Sequence, residues 1–245
     1  MPSGLLGEIQ ASFPEIFSDE TIVRITANYT WQCGQNITFT YRGSEVTYGT
    51  ILVDYGSDVG EKCWLDRNLG ATQVATASDD HLAYGDLFQW GRLDDGHQVR
   101  DPLSNTTSTL STTDDPGHGS FITIGSSPYD WRSPQNDNLW QGVNGINNPC
   151  PQGYRLPTGA ELNAERQSWS SNNSAGAFAS PLKLPVAGRR SGSNGSLYTV
   201  GSRGDYWSST VGGVYSRRLY FDGTGASMYN DGRRADGRSV RCIKD

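Results

Sequence analysis

Lysine and histidine are scarce in this chain. Lys occurs three times (Lys62, Lys183, Lys244) against seventeen Arg, and His three times (His81, His97, His118). The histidines are not spaced as helical metal ligands, and no serine sits in a GxSxG context. Two common hydrolase designs are thereby excluded, and no catalytic residue is expected. No run approaches the roughly 18 apolar residues of a membrane span. The first residues lack a basic stretch followed by an apolar one, so no signal peptide is expected. The four cysteines form no CxxC pair, which excludes the common zinc motifs and thioredoxin-like redox chemistry.

The charge balance is acidic, with a formal net charge of −6 at pH 7, so nucleic acid is not an expected partner. Its distribution is uneven. Residues 206–245 carry seven Arg or Lys against four Asp, a balance of +3 that leaves −9 for the rest. Such a tail meets either an acidic partner or the carboxylates of its own body. Cys33, Cys63, Cys150 and Cys242 fit two disulfides of an extracellular or virion-exposed protein, with three pairings open, or four buried thiols of a cytosolic one. The chain's 245 residues, 7 Trp, 12 Tyr and 30 Gly describe a folded, turn-rich protein with little helix.

Along the chain, residues 1–50 read as an arm followed by strands, because TIVRITANYT, NITFTYRG and EVTYGTILVDYG are rich in β-branched and aromatic residues. Residues 51–245 read as the main domain. A first helix is expected over His81–Leu93, with Leu82, Leu87, Phe88 and Trp90 on one face. A second is expected over Thr158–Trp169, where Thr158 and Glu161 have capping-box spacing. Between them, residues 94–148 are polar with isolated aromatics and read as a packed insertion. Its aspartates Asp94, Asp95, Asp101, Asp114 and Asp115 can supply oxygen ligands to a structural calcium ion; no other cofactor is expected. The expected fold class is α+β, with two helices, a small, mostly antiparallel sheet and long irregular loops.

The stretch from Tyr206 to Asp245 sets Tyr, Arg, Asp, Ser and Asn among glycines, the residue economy of an adaptable binding surface. The alternative is a structural or adhesive module in which these residues only solvate one face.

The motifs CWLDRNLGA, YGDLFQWGR, CPQGYRLPTGAEL, YWSST and SVRCI, in this order from Cys63 onward, resemble the bacterial major paralogous domain first named from Fibrobacter. That resemblance covers about three quarters of the chain and implies a C-type-lectin-like fold, related to formylglycine-generating enzymes and to variable proteins diversified by retroelements. The enzymes' reactive cysteine pair has no counterpart here, because Cys242 stands alone near the C-terminus. In the variable proteins, template adenines are randomised, often at Asn codons, which never yields Lys, Glu, Gln, Met or Trp. Residues 211–238 contain no Lys, Glu, Gln or Trp, and Met228 is the single exception.

The resemblance thus implies a variable segment within 206–242. Its implied ligand-binding residues are Val214, Tyr215, Arg218, Tyr220, Asp222, Ser227, Tyr229, Asn230, Asp231, Gly232, Arg233 and Asp236. Leu219, Phe221, Ala226 and Met228 are the implied packing residues, with Tyr206–Ser209 and Ser239–Cys242 as scaffold. The expected function is non-enzymatic recognition of a protein or cell-surface ligand by a viral or prokaryotic protein, at a virion or cell surface.

Overall fold

Trp64, near the start of the main domain, stands opposite Ile243, two residues from the C-terminus, and both are fully buried. This pairing joins an early strand to the last one in a chain whose residues 32–245 are described by a computed structural model. The strands expected before residue 32 lie outside the described residues.

The described chain begins with β1 (Ile37–Tyr41), β2 (Ser44–Tyr48), β3 (Thr50–Asp54) and β4 (Glu61–Leu65). After a single 3-10 turn at His81–Ala83 come the two-residue strands β5 (Phe88–Gln89), β6 (Thr106–Thr107), β7 (Phe121–Ile122) and β8 (Tyr154–Arg155). Helices α1 (Gly159–Ser168) and α2 (Ser174–Ala179) follow, then β9 (Ala187–Arg190) and β10 (Leu197–Tyr198). The chain closes with β11 (Arg203–Gly212), β12 (Tyr215–Asp222), β13 (Ala226–Gly232), β14 (Gly237–Arg238) and β15 (Ile243–Lys244). One sheet runs β13-β12-β11-β9-β14-β5 with β10 attached to β9, seven strands in all, and a second runs β3-β4-β15-β8.

This architecture corrects the expected fold class. Among the described residues 32% are in strand and 9% in helix, and the larger sheet has seven strands, so the fold is mostly β and not α+β with a small sheet.

The expected helix over His81–Leu93 is also absent. Asp80 caps one 3-10 turn through Leu82 N–H, and Gly85 then turns with φ +66° where a Cβ would stand 2.5 Å from the Leu69 carbonyl oxygen. Leu87, Phe88 and Trp90 are buried by neighbours on all sides, whereas Leu82 is exposed, so no single apolar face exists. Helix α1, by contrast, starts at its expected cap: Thr158 accepts from Glu161 N–H, and the Glu161 side chain accepts from Thr158 N–H.

Trp64, Leu162, Trp169, Leu184, Tyr206, Leu219, Phe221 and Ile243 belong to the main core, between α1, α2 and the two sheets. The insertion has its own core of Ile122, Trp131 and Leu139. It is bolted to the rest by Trp131 Nε1–H donating to the Trp90 carbonyl (2.7 Å) and by Asn147 Nδ2–H donating to Gly91 (2.8 Å). Its aspartates are drawn into local contacts: Asp95 pairs with Arg92 and His97, Asp114 pairs with Arg132, and Asp94 accepts from Arg42 N–H. Two disulfides, Cys33–Cys63 and Cys150–Cys242, select one of the three pairings. The second spans a separation of 92 residues. By loop closure a bridge of that span stabilises the fold by about 4–5 kcal/mol.

His97 makes the insertion sensitive to acid. Burial, with Arg92 nearby, lowers its pKa to about 4 although Asp95 holds its Nδ1 at 2.6 Å, so the folded ring is neutral. The unfolded ring takes a proton near pH 6.5, so the unfolded chain binds more protons between about pH 4 and 6.5. The stability His97 contributes is therefore complete above pH 6.5 and is lost as the pH falls toward 4. Asp130, raised to about 6 by burial against the pull of Arg234, works in the opposite direction over much of the same window. A comparison with His97→Gln isolates the histidine: the stability advantage of the parent over the variant should shrink by about 3 kcal/mol between pH 6.5 and 4. Urea unfolding at several pH values measures it, and a constant difference would contradict the assignment.

Candidate functional site

The site is the hairpin β12–β13 together with the strand beside it, β11. Strand alternation sends successive side chains to opposite faces, and the register sorts them cleanly. Leu219 faces Met228 and Phe221 faces Ala226, all four packed in or against the main core. On the other face Arg218 stands opposite Tyr229, and Tyr220 opposite Ser227. β11 extends this outer face, placing Asp205 opposite Tyr220, Trp207 opposite Arg218 and Arg203 opposite Asp222. The turn between β12 and β13 is held by Asp222, whose Oδ1 accepts from Thr224 N–H (2.7 Å) and Gly225 N–H (3.1 Å). Hydrogen bonds from Thr224 and from the Tyr220 hydroxyl hold its carboxyl well below the usual carboxylate range.

Nine of the twelve expected site residues reach solvent. Val214, Tyr229, Asn230, Asp231 and Arg233 are exposed, and Tyr215, Tyr220, Asp222 and Ser227 are half-buried. They do not all share one face. Asn230 alternates with Tyr229 and so lies on the α1 side, at the sheet's exposed end. Val214 sits in the β11–β12 turn, where its carbonyl accepts from Gln135, and Tyr215 stacks on Tyr129 with ring centroids 6.1 Å apart.

Arg218, Gly232 and Asp236 are buried. A Cβ on Gly232 would meet Trp207 Cζ3 at 2.4 Å and the Ser216 carbonyl oxygen at 2.5 Å, so this glycine is scaffold. Asp236 accepts from Gly192 N–H (2.7 Å) and from Arg238 Nη2–H (2.8 Å), which makes it a brace between loops. Arg218 is clamped between Asp205 (2.8 Å) and Asp231 (3.0 Å), so its charge is partly spent within the protein.

The expected scaffold residues Tyr206–Ser209 and Ser239–Cys242 are all buried. Trp207 Nε1–H donates to the Phe88 carbonyl (2.7 Å), and Trp90 Nε1–H returns a bond to Ser208 (2.9 Å), locking β11 against β5.

The electrostatic centre of the face is a group that sequence reading passed over. Asp205, fully buried, touches three guanidinium groups: Arg203 (2.7 Å), Arg218 (2.8 Å) and Arg238 (3.5 Å). Burial lowers the pKa of Arg238, Asp236 and Asp205 pull it up, and Arg218 and Arg189 push it down again. The available signal was the period-2 pair Arg203 and Asp205, which places two charged side chains on the outer face while Gly204 and Tyr206 turn inward.

Around this centre guanidinium groups lie over rings. Arg203 stands 4.3 Å from the Tyr220 ring centroid, Arg218 4.8 Å from Tyr229, and Arg233 4.2 Å from Tyr129. These stacks order the side chains of the face, from buried Arg218 to exposed Arg233, at a contribution of about 0.5–1 kcal/mol each. The face is therefore a preorganised surface of Tyr and Arg, the residue types that dominate protein recognition.

Among the described residues no group of three or more His, Cys, Asp or Glu side chains is placed to hold a metal ion. None of their helices is long and apolar enough to cross a membrane. No family model matches the chain, and neither a curated protein nor a solved structure is found to match it.

Proposed function

We propose that this protein is a non-enzymatic, receptor-type binding protein whose β11–β13 face recognises a protein ligand and is diversified by a retroelement. The supporting observation is the division of β12 and β13 by register. Tyr220, Ser227, Tyr229 and Asp231, residue types reachable from one randomised codon, stand on the outer face, while Leu219, Phe221, Ala226 and Met228 interleave with them on the core side. Variation on the outer face leaves the core untouched, which a diversified surface requires. The resemblance of the motifs around Cys63, Tyr206 and Cys242 to the major paralogous domain, a group related to retroelement-diversified proteins, supports the same reading.

A protein ligand follows from the chemistry of the face. Tyr and Arg supply large contact area and forked donors at low entropic cost. Sequencing the DNA beside the gene tests the diversification. A reverse transcriptase gene and a template copy of the segment, differing from it mainly at adenines, are the expected finding.

A further inference from the structure

Beside the tyrosines of the face lies a cleft of about 300 Å³, lined by Arg189, Arg203, Arg218, Arg233 and Arg238. Only two aspartates, Asp231 and Asp236, share the lining, with Asp205 beneath. Positive charge is thus in excess within a concave, polar site. Arg233 is exposed and makes no ion pair among the described residues, and Arg189 reaches Asp236 only at 3.4 Å.

Each of the five guanidinium groups is also stacked. Besides the three stacks on Tyr220, Tyr229 and Tyr129, Arg189 lies 5.2 Å from the Tyr198 centroid and Arg238 4.3 Å from that of Trp207. Stacking occupies the flat face of a guanidinium and leaves its rim of N–H donors for an oxyanion. The donors are fixed before any ligand arrives, so the ordering cost on binding is small. At buried Arg238 the neighbouring Arg218 and Arg189 add to the cost of holding the charge, and an entering anion relieves that cost.

We propose that this cleft is a carboxylate receptor, which takes the Asp and Glu side chains of an acidic segment on the protein ligand. This rests on the proposed function for the ligand's being a protein. Arg189 and Arg203 lie outside residues 211–238, whereas Arg218, Asp231 and Arg233 lie inside. The cleft therefore joins a constant anion anchor to a rim that diversification can tune, so that acidic segments are a shared feature of otherwise different ligands.

The test is titration of the whole chain with hexaglutamate at low ionic strength, followed by calorimetry. Saturable binding that weakens with added salt is expected. Arg233→Gln together with Arg189→Gln should weaken it by roughly tenfold or more, while Arg166→Gln, on α1 and outside the cleft, leaves it unchanged. Arg233→Gln alone removes an exposed side chain without an ion pair, so it keeps the fold and should still weaken binding measurably. No binding to the parent, or equal binding by the cleft variants, overturns the proposal. So does a response to inorganic sulfate or phosphate without one to hexaglutamate. Hexaglutamate binding with no template repeat beside the gene would keep the cleft and remove the diversification; the reverse pair of results would do the opposite.

Discussion

Replacing Asp205 by Asn should destabilise the protein by about 3–5 kcal/mol, a large share of the roughly 5–15 kcal/mol that holds a domain together. The substitution keeps the shape of the side chain and removes only its charge. Asp205 is fully buried and is the common partner of Arg203, Arg218 and Arg238. Arg238 retains Asp236 at 2.8 Å, and Arg218 retains Asp231, which is itself exposed. Arg203 is left with no carboxylate among the described residues, and three guanidinium groups then face one another across a low-dielectric floor. Removing one partner of a buried ion pair costs more than the pair contributes, because the remaining charge stays desolvated. Urea unfolding measures the effect, and a loss below about 1 kcal/mol would show that water already solvates this centre.

The second large effect separates the two faces of β12. Phe221→Ala should cost about 3–5 kcal/mol, whereas Tyr220→Ala and Tyr229→Ala together should cost less than about 1.5 kcal/mol. Phe221 is fully buried, stacked on Tyr206 with centroids 5.7 Å apart and met edge-on by Trp169 at 5.4 Å. The space it fills is shaped around it: a Cβ on Gly204 would stand 2.1 Å from Phe221 Cζ, so glycine at 204 lets the ring lie against β11. No neighbour can collapse into such a void cheaply. Tyr229 is 41% exposed, and its ring touches that of Tyr220 edge-on at 5.6 Å. Removing both rings exposes guanidinium groups that water can solvate. Thermal melting of the two variants gives the comparison, and a large loss on removing the tyrosines would make them core.

These two residues also mark what the sequence could and could not reveal. The alternation Leu219, Tyr220, Phe221, Asp222 is a local signal with period 2, and it separates buried Leu219 and Phe221 from half-buried Tyr220 and Asp222, whereas Arg218, expected on the displayed side, is buried. The capping box at Thr158 and Glu161 is legible for the same reason, since three residues carry the whole geometry. The seven-stranded sheet was not legible. Three of its seven strands, Phe88–Gln89, Leu197–Tyr198 and Gly237–Arg238, are two residues long and too short to show a period, and they extend the sheet beyond β11–β13. Helix α2 was missed because a six-residue SAGAFA segment capped by Asn173 has too few apolar positions to repeat. His81–Leu93 misled because its apolar residues fit a helical face equally well as a looping chain buried all round.

At the site, residue type distinguished display from scaffold only in part. Gly232 and Asp236 belong to the residue types of a varied surface, yet Trp207 leaves no room beside one and Gly192 is held by the other. Burial of that kind depends on partners distant in sequence and leaves no local trace. Asp205 was missed for the complementary reason: it sits in the RGDYWSS stretch, whose inward residues mark a scaffold strand and draw attention from the outward ones.

Sequencing the segment in many copies of the gene, together with the neighbouring DNA, tests the central claim most directly. The account predicts substitutions concentrated at outward or exposed positions such as Tyr215, Tyr220, Ser227, Tyr229, Asn230, Asp231 and Arg233. Leu219, Phe221, Met228, Gly232 and Asp236 should stay constant, and the changes should map to adenines in a nearby template copy. Copies that are identical, or that vary as often at Leu219 and Phe221 as at Tyr220 and Tyr229, would contradict it.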